Sequence, residues 1–465
     1  MTDQNKLFQN LENTLHKIIK TGSTKEYVQL FKQYHEADIA ETLSNFNQAE
    51  QARFFQQVNV ELGADVLEEY DTNAQRKLVQ TLKTELSAKY IENMEPDDAV
   101  DLLEELQETD EAKAEEIIEK LSVKEAEELQ ELLTYPENSA AAIMTTDFIS
   151  IPENLNCEQA IHEIKQQQPP DTDVAFYSFI TNKQQQLTSY ITLRNIILAN
   201  PESKIKDLRN DYPITAHTHE DQEDVAKKFQ KYNLVVMPVI DDNKVLKGVI
   251  TVDDIVDVVI EEATEDIYKL TGTSDSFETN FLTGSIFKNI LTRLPWLSLT
   301  ILGGILSASI IGFYAKHVQS SLIPLALSLS YLPLLMSLGG NIGNQSATII
   351  VRNIATGKLK PALTVSHIFR ECIITLFISI PISVLLFFLN ISLFNYSILF
   401  SGIVSIGLSI NMALAGLFGS SLPLVLRFCK IDPAVASAPF ISSLCDIFGQ
   451  IIYFSLTFIT LFYFV

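Results

Sequence analysis

A chain of 465 residues exceeds one ordinary domain, and its charge is divided rather than spread. Residues 1–281 carry 25 Lys+Arg against 55 Asp+Glu, a net of −30, whereas residues 282–465 carry 9 against 3, a net of +6. The acidic part repels nucleic acid and attracts cations, so no nucleic-acid partner is expected, and the charge-poor part, rich in Leu, Ile, Phe and Ser, has the composition of a membrane segment.

The first residues, MTDQNKLFQN, are polar and lack an apolar core, so they are not read as a secretory signal, and the N-terminal part is expected in the cytosol. Residues 1–133 read as an acidic helical domain, superhelical or bundled. Gly occurs there only at Gly22 and Gly63 and Pro only at Pro96, and apolar residues recur at helical spacing beneath dense carboxylates. Most of those carboxylates are expected to be solvated helix faces.

Residues 137–260 change character. Two similar blocks follow each other, each with a short β segment, a helix, two alternating β segments and a final helix. The first covers 137–200 and the second 201–260. DDNK in the second suits a hairpin turn. The pattern, above all MPVIDDNKVLKGVITVDDI, resembles a tandem pair of CBS domains, which are α/β modules that sense small ligands. The first copy has Ser189 near the place of Gly248 in the second.

The segment TVDDIVDVVIEEATEDIYKL, within a connecting helix expected over 254–281, carries two contrasting faces. At 100° per residue, Asp254, Asp257, Glu261 and Glu265 fall within about 80° of one another, and Val256, Val259, Ile260, Ala263, Ile267 and Leu270 gather on the far side. Like charges at i,i+4 repel. A bound divalent cation would relieve that repulsion.

Residues 282–465 contain five apolar runs, at 294–314, 323–347, 366–390, 395–426 and 434–464, each long enough to cross ~30 Å of hydrocarbon. Arg352, Lys358, Lys360 and Arg370 follow the second run, and Arg427 and Lys430 the fourth; the connection around 390–397 has no charge, and that after the first run has Lys316 and His317. Positive loops mark the cytoplasmic side. This orientation places the N-terminus inside and the C-terminus outside. Cys372, Cys429 and Cys445 lie in or beside apolar runs, and none of the four cysteines forms a CxxC motif, so no zinc or redox site is expected.

Polar residues at membrane depth are costly and therefore functional candidates. The second run holds Gly339, Gly340 and Gly343 with the amides Asn341, Asn344 and Gln345. The fifth holds Asp446, with Ser442 and Ser443 nearby. Asp432 precedes Pro433 and suits a helix start; Glu371 is expected to pair with Arg370. One carboxylate with amide oxygens suits a hard, partly hydrated divalent cation such as Mg²⁺. No His or Cys cluster accompanies it, which argues against a soft transition metal. No nucleophile–base pair or Gly-rich phosphate loop is present, so an enzyme is not expected.

GGNIGNQSATIIVRNIATG, DPAVASAPFISSLCD and TVDDIVDVVIEEATEDIYKL together resemble the MgtE family of magnesium channels, and the order of helical domain, CBS pair, connecting helix and five spans is similar. The resemblance covers nearly the whole chain. It implies a multi-pass protein of the cell inner membrane, a homodimer with a pore on its two-fold axis, Mg²⁺ bound at Asp446, and a connecting (plug) helix that closes the pore when cytosolic Mg²⁺ is plentiful. By position it implies regulatory metal sites with Asp254, Glu262, Glu265 and Asp266, and further candidates at Glu223, Asp97 and Asp98. This chain has Ala438 and Ser442-Ser443 where relatives often carry Gly and two Thr, and Asn233 where an acid often stands. Two alternatives stay open: transport of Mn²⁺, Co²⁺ or Ca²⁺, and a membrane-anchored nucleotide sensor in which Thr251 and Asp254 resemble the ribose-contacting pair of an ATP-binding CBS domain.

Overall fold

The computed structural model describes residues 3–22, 24–167, 173–211, 214–273, 286–317, 325–356 and 364–464. They form two compact units, Met1–Val259 and Ile260–Val465.

The first unit opens with helices α1 (Asp3–Thr21), α2 (Thr24–Phe31), α3 (Glu36–Ser44), α4 (Gln48–Gln57), α5 (Val60–Glu68), α6 (Thr72–Thr81), α7 (Thr84–Ile91), α8 (Pro96–Ile118) and α9 (Val123–Leu132). Their starts follow from local chemistry. Asn47 and Asp71 each accept a backbone N–H three residues on, at 3.0 Å, and Pro96 takes the first turn of α8, where its missing N–H costs nothing. Each short helix buries one apolar stripe and packs on the next but one, α1 on α3, α3 on α5 and α5 on α7, which winds the row into a superhelix. Inside α8 the helix breaks at Asp110, whose φ is −153°.

The CBS pair follows. Strands β1 (Ser150–Pro152), β2 (Tyr177–Thr181), β3 (Leu187–Thr192) and β4 (Asn210–Asp211) make one sheet in that order, with α10 (Cys157–Gln167), α11 (Leu193–Leu198) and α12 (Ile205–Leu208). The first sheet therefore draws β4 from beyond residue 200, because the edge of β3 needs a partner. Strands β5 (Ala216–His217), β6 (Val236–Ile240) and β7 (Leu246–Thr251) make the second sheet, with α13 (Gln222–Tyr232). In both sheets the first pair is parallel and the next antiparallel. Asp241 accepts from the N–H groups of Asn243 and Val245, both at 2.8 Å, so DDNK closes the β6–β7 hairpin. A Cβ at Gly248 would lie 2.7 Å from the Thr145 carbonyl oxygen, which explains the glycine there. At Ser189 the neighbour is instead the β4 residue Asp211. Asn233, in left-handed conformation (φ 51°), ends α13, a place that favours Asn over an acid.

Helix α14 (Val252–Thr271) begins two residues before 254 and ends at Thr271, because Gly272 takes the left-handed conformation (φ 78°) that stops a helix; residues 274–281 of the expected span lie outside the described residues. It buries Ile255 and Val258, at about 100° and 40° from Asp254 by helix angle, and leaves Val256, Val259, Ile260 and Ile267 each more than half exposed. The packed face is that of Ile255 and Val258; Asp257 is exposed, and so is the apolar stripe.

The second unit contains α15 (Ile286–His317), the short α16 (Leu325–Leu329), α17 (Leu332–Ala355), α18 (Thr364–Ser392), α19 (Ile398–Phe428) and α20 (Ala438–Phe464). Four of these, α15, α18, α19 and α20, are long and apolar enough to span a membrane, and α17 falls short by composition although its 24 residues reach about 36 Å. The reason is its content of amides and glycines. It buries Gly339, Gly340, Ile342, Gly343 and Ala347 among its neighbours and needs little lipid-facing surface. α17 also begins later than the second apolar run and places Arg352 in its last turn rather than in a loop. Lys358 and Lys360 fall outside the described residues. In α15 only 6% of the most apolar stretch is buried, against 56% in α19, so α19 is central and α15 peripheral. The centre is tight. A Cβ at Gly419 would collide with the carbonyl of Gly343, bringing α19 and α17 backbone to backbone.

Candidate ion sites

In the first unit, acids from three elements crowd together. Glu68 ends α5, Glu95, Asp97 and Asp98 surround the start of α8, and Asp254 stands in the first turn of α14. Pro96 and the α8 N-terminus fix the middle group, and Glu68 Oε1 accepts from the Glu95 backbone N–H at 2.6 Å. Burial, followed by repulsion from Asp254, Asp98 and Glu95, holds the Asp97 carboxyl well above the usual carboxylate range. Asp98 is raised in the same way by burial and then by Glu68, Asp101, Asp254 and Glu95. Burial lifts Glu68 and Glu95 to about 7 and Asp254 to about 6. The Asp97 side chain is 8% exposed, and its Oδ1 is buried with no hydrogen-bond partner.

An orphaned buried oxygen among mutually repelling carboxylates fits a divalent cation, which would satisfy the oxygen and cancel the repulsion. Among the described residues, no three His, Cys, Asp or Glu side chains already converge as a finished cage. Thr251 donates its hydroxyl to the Asp254 carboxylate and its N–H at 3.3 Å.

The other regulatory candidates are distributed differently. Glu223 pairs with Lys227 on the surface of α13 at 3.1 Å. Glu262, Glu265 and Asp266 lie on the later turns of α14. There Lys269 pairs with Glu265 and reaches Asp432 Oδ2 at 2.7 Å. Asp432 also caps the turn Pro433–Val435 by accepting from the Ala434 N–H at 2.8 Å.

In the second unit, Asp446 is the ninth residue of α20, about 12 Å along it, and is half-buried. Among the described residues no hydrogen bond or ion pair reaches it. Glu371 accepts from the Ser346 hydroxyl at 2.9 Å rather than pairing with Arg370; adjacent helix residues point apart. On α17, Asn341, Gln345 and Thr348 are exposed and line a shallow concavity with Asn344 and Ile349. Asn344 Nδ2 donates to Ser442 Oγ at 3.3 Å, and Ser442 lies one turn before Asp446. Gly340 permits this approach, since a Cβ there would lie 3.2 Å from the same Ser442 oxygen. The amide cluster and the carboxylate therefore belong to one helix pair.

A family model described as a divalent cation transporter, MgtE, matches residues 332–456. A second, the MgtE intracellular N domain, matches residues 34–138, and a CBS domain model matches 205–261. The magnesium transporter MgtE of Bacillus subtilis (strain 168) is 31% identical over 341 residues, 73% of each chain. The chain belongs to the MgtE family. MgtE proteins are transporters, not enzymes, and this one is a multi-pass membrane protein.

The magnesium transporter MgtE of Thermus thermophilus is 32% identical over 329 residues, 70% of this chain and 71% of that one. Among solved structures, the soluble part of a magnesium transporter superposes with a TM-score of 0.52 at 28% identity, over 55% of this chain and 99% of that one. The cytosolic domain of the Mg²⁺ channel MgtE in complex with ATP shares the fold, with a TM-score of 0.50 at 23% identity, over 53% of this chain and 99% of that one.

The MgtE transporter match contains Asn341, Asn344, Gln345 and Asp446. The MgtE N-domain match contains Asp97 and Asp98, and the CBS match contains Glu223, Thr251 and Asp254. Glu68 and Glu95 carry no sequence signal as site residues, because Glu68 meets Glu95 from 27 residues away and Asp254 approaches Glu95 from farther still. Ser442 stood out only as a polar residue near Asp446, and the pairing of Lys269 with Asp432 gave no signal, since the two are 163 residues apart.

Proposed function

We propose that this MgtE protein conducts Mg²⁺ across the inner membrane and is closed by Mg²⁺ on the cytosolic side. The observation that carries the transport reading is Asp446, a half-buried carboxylate in an apolar helix with no protein partner among the described residues, paired through Ser442 to the amides of α17. A permeating ion exchanges part of its water for the Asp446 carboxylate and the oxygens of Asn341, Asn344 and Gln345, and keeps the rest. Hard oxygen ligands favour Mg²⁺ over soft ions; Mn²⁺, Co²⁺ and Ca²⁺ are the competitors to test.

The same reading makes the acids of the first unit the sensor. A bound divalent cation supplies the positive charge that lets Glu68, Glu95, Asp97, Asp98 and Asp254 stay ionised together. Asp254 thereby ties the start of α14 to α5 and α8. Lys269, on the same helix, holds its end to Asp432 before α20. Glu262, Glu265 and Asp266 add charge to this helix, and Glu223 is a peripheral member. An adenine nucleotide at Thr251 and Asp254 would act as a modulator and would have to open the bond between those two side chains. The exposed stripe Val256, Val259, Ile260 and Ile267 suits burial against a second copy, which supports a homodimer. The charge of the loops supports a cytosolic N-terminus and an external C-terminus.

The deciding experiment is Mg²⁺ uptake in a transport-deficient strain starved of Mg²⁺. The native chain restores growth and Asp446→Ala does not. Equal rescue by both would remove Asp446 from the pathway.

A further inference from the structure

The proposed pathway leaves one buried amide oxygen unused. Gln450 lies on α20 one turn beyond Asp446, on the same face, as Ser442 lies one turn before it. Its side chain is 2% exposed. Gln450 Nε2 donates to Ser307 Oγ on α15 and approaches Met336 Sδ on α17 at 3.5 Å. A thioether sulfur accepts and cannot donate, so the nitrogen is the end turned toward Met336. That assignment fixes Oε1 on the other side, where it is buried without a hydrogen-bond partner.

A buried carbonyl oxygen left unpaired is unfavourable, and such exceptions ask for an explanation. Asn344 repeats the arrangement. Its nitrogen is tied to Ser442 on the neighbouring helix, and its Oδ1 is likewise buried and unpaired. One turn beyond Asp446 on α20 thus stands the Gln450 amide, held by Ser307, and against Ser442, one turn before it, stands the α17 amide of Asn344; each nitrogen is bound to a serine and each oxygen is unsatisfied. Hydrogen-bonded nitrogens pre-orient the oxygens, as ligands to a cation require.

We infer that Gln450 Oε1 is an ion ligand of the conduction pathway, the next oxygen beyond Asp446 on the side away from Ser442, and that Ser307 and Met336 hold it in place. The inference rests on the reading of Asp446 as a Mg²⁺ site. It assigns Gln450 a role that a packing residue would not have: it sets the affinity with which Mg²⁺ is taken up.

The test is Mg²⁺ flux into proteoliposomes holding the full chain, with Mg²⁺ as the only divalent cation. Half-saturation and maximal flux per folded protein are read separately. Gln450→Leu keeps the bulk and removes the oxygen, and is expected to raise half-saturation about tenfold, the loss of one ion–oxygen interaction. Gln450→Glu keeps the shape and adds charge. It is expected to lower half-saturation and slow maximal flux, because the ion is released less readily. If Gln450→Leu does not fold, Gln450→Glu decides alone. Native half-saturation in Gln450→Glu, or in a folded Gln450→Leu with a lowered thermal midpoint, would make Gln450 a packing residue and overturn the inference. Asp446→Ala in the same vesicles separates the two readings. If it conducts like the native chain, the pathway itself is misplaced; if it is silent while Gln450→Leu and Gln450→Glu keep native half-saturation, only the role of Gln450 fails.

Discussion

The two units treat carboxylates in opposite ways. The first crowds Glu68, Glu95, Asp97, Asp98 and Asp254 into one buried neighbourhood, where burial and then repulsion from nearby acids raise their proton affinity. Within the second, residues 282–465 hold only three acids and keep them apart. Glu371 is satisfied by Ser346, Asp432 by Lys269 and the Ala434 N–H, and Asp446 has no such partner among the described residues. Crowding makes a site whose charge state responds to cations. Isolation makes a single, weakly held ligand, which suits an ion that must leave again. The difference teaches that a large net charge and a lone charge can serve the same ion in different capacities.

The comparison breaks first at the crowded site. Asp97→Asn with Asp254→Asn removes two of the repelling charges, and Mg²⁺ inhibition of flux is expected to need more than about ten times the cytosolic concentration, each lost charge-assisted contact being worth about 1.5–3 kcal/mol. Unchanged inhibition in patch-clamped vesicles would take the sensor away from this cluster.

Next in size is packing. Gly419→Ala pushes a methyl group against the Gly343 carbonyl, and about 1–3 kcal/mol of destabilisation is expected. Thermal unfolding in detergent measures it, and a native midpoint would show that α17 and α19 have room. Asn411 is a milder probe of the same contact. It donates to the Leu335 carbonyl at 2.7 Å from between Gly339 and Gly449. Asn411→Leu removes a buried hydrogen bond, and about 1 kcal/mol is expected.

The pH dependence sharpens the contrast further. The folded values of about 7 for Glu68 and Glu95 and about 6 for Asp254 lie above those of an unfolded chain, near 4. Between about pH 4 and 7 the folded state therefore holds more protons than the unfolded one. These groups' contribution is complete below that window and is lost as pH rises through it. Mg²⁺ should accordingly raise the unfolding midpoint more at pH 8 than at pH 5. An equal rise at both would mean that the ion does not compete with protons here.

The smallest expected effect is at Lys269→Gln. It breaks the pairs with Glu265 and Asp432 in a partly exposed setting, so a change of at most about 1 kcal/mol and a few-fold loosening of Mg²⁺ closure are expected. Full closure at native Mg²⁺ would remove Lys269 from the coupling.

Much was legible in the residues alone. The division between an acidic part and an apolar part, the helical and α/β character of the regions, and the exceptional status of Asp446 follow from composition, periodicity and the cost of charge in hydrocarbon. These are properties of short stretches, and a sequence displays them directly. The tertiary structure decided what depends on distant partners. It placed Glu68 and Glu95 near Asp97, Asp98 and Asp254, left the apolar stripe of α14 exposed, and gave Glu371 to Ser346 instead of Arg370. It also set α17 inside the bundle, where close contact of glycine backbones replaces the lipid-facing apolar surface that hydropathy measures. Burial and pairing are decided by which elements meet, and that information exists only once the chain has folded.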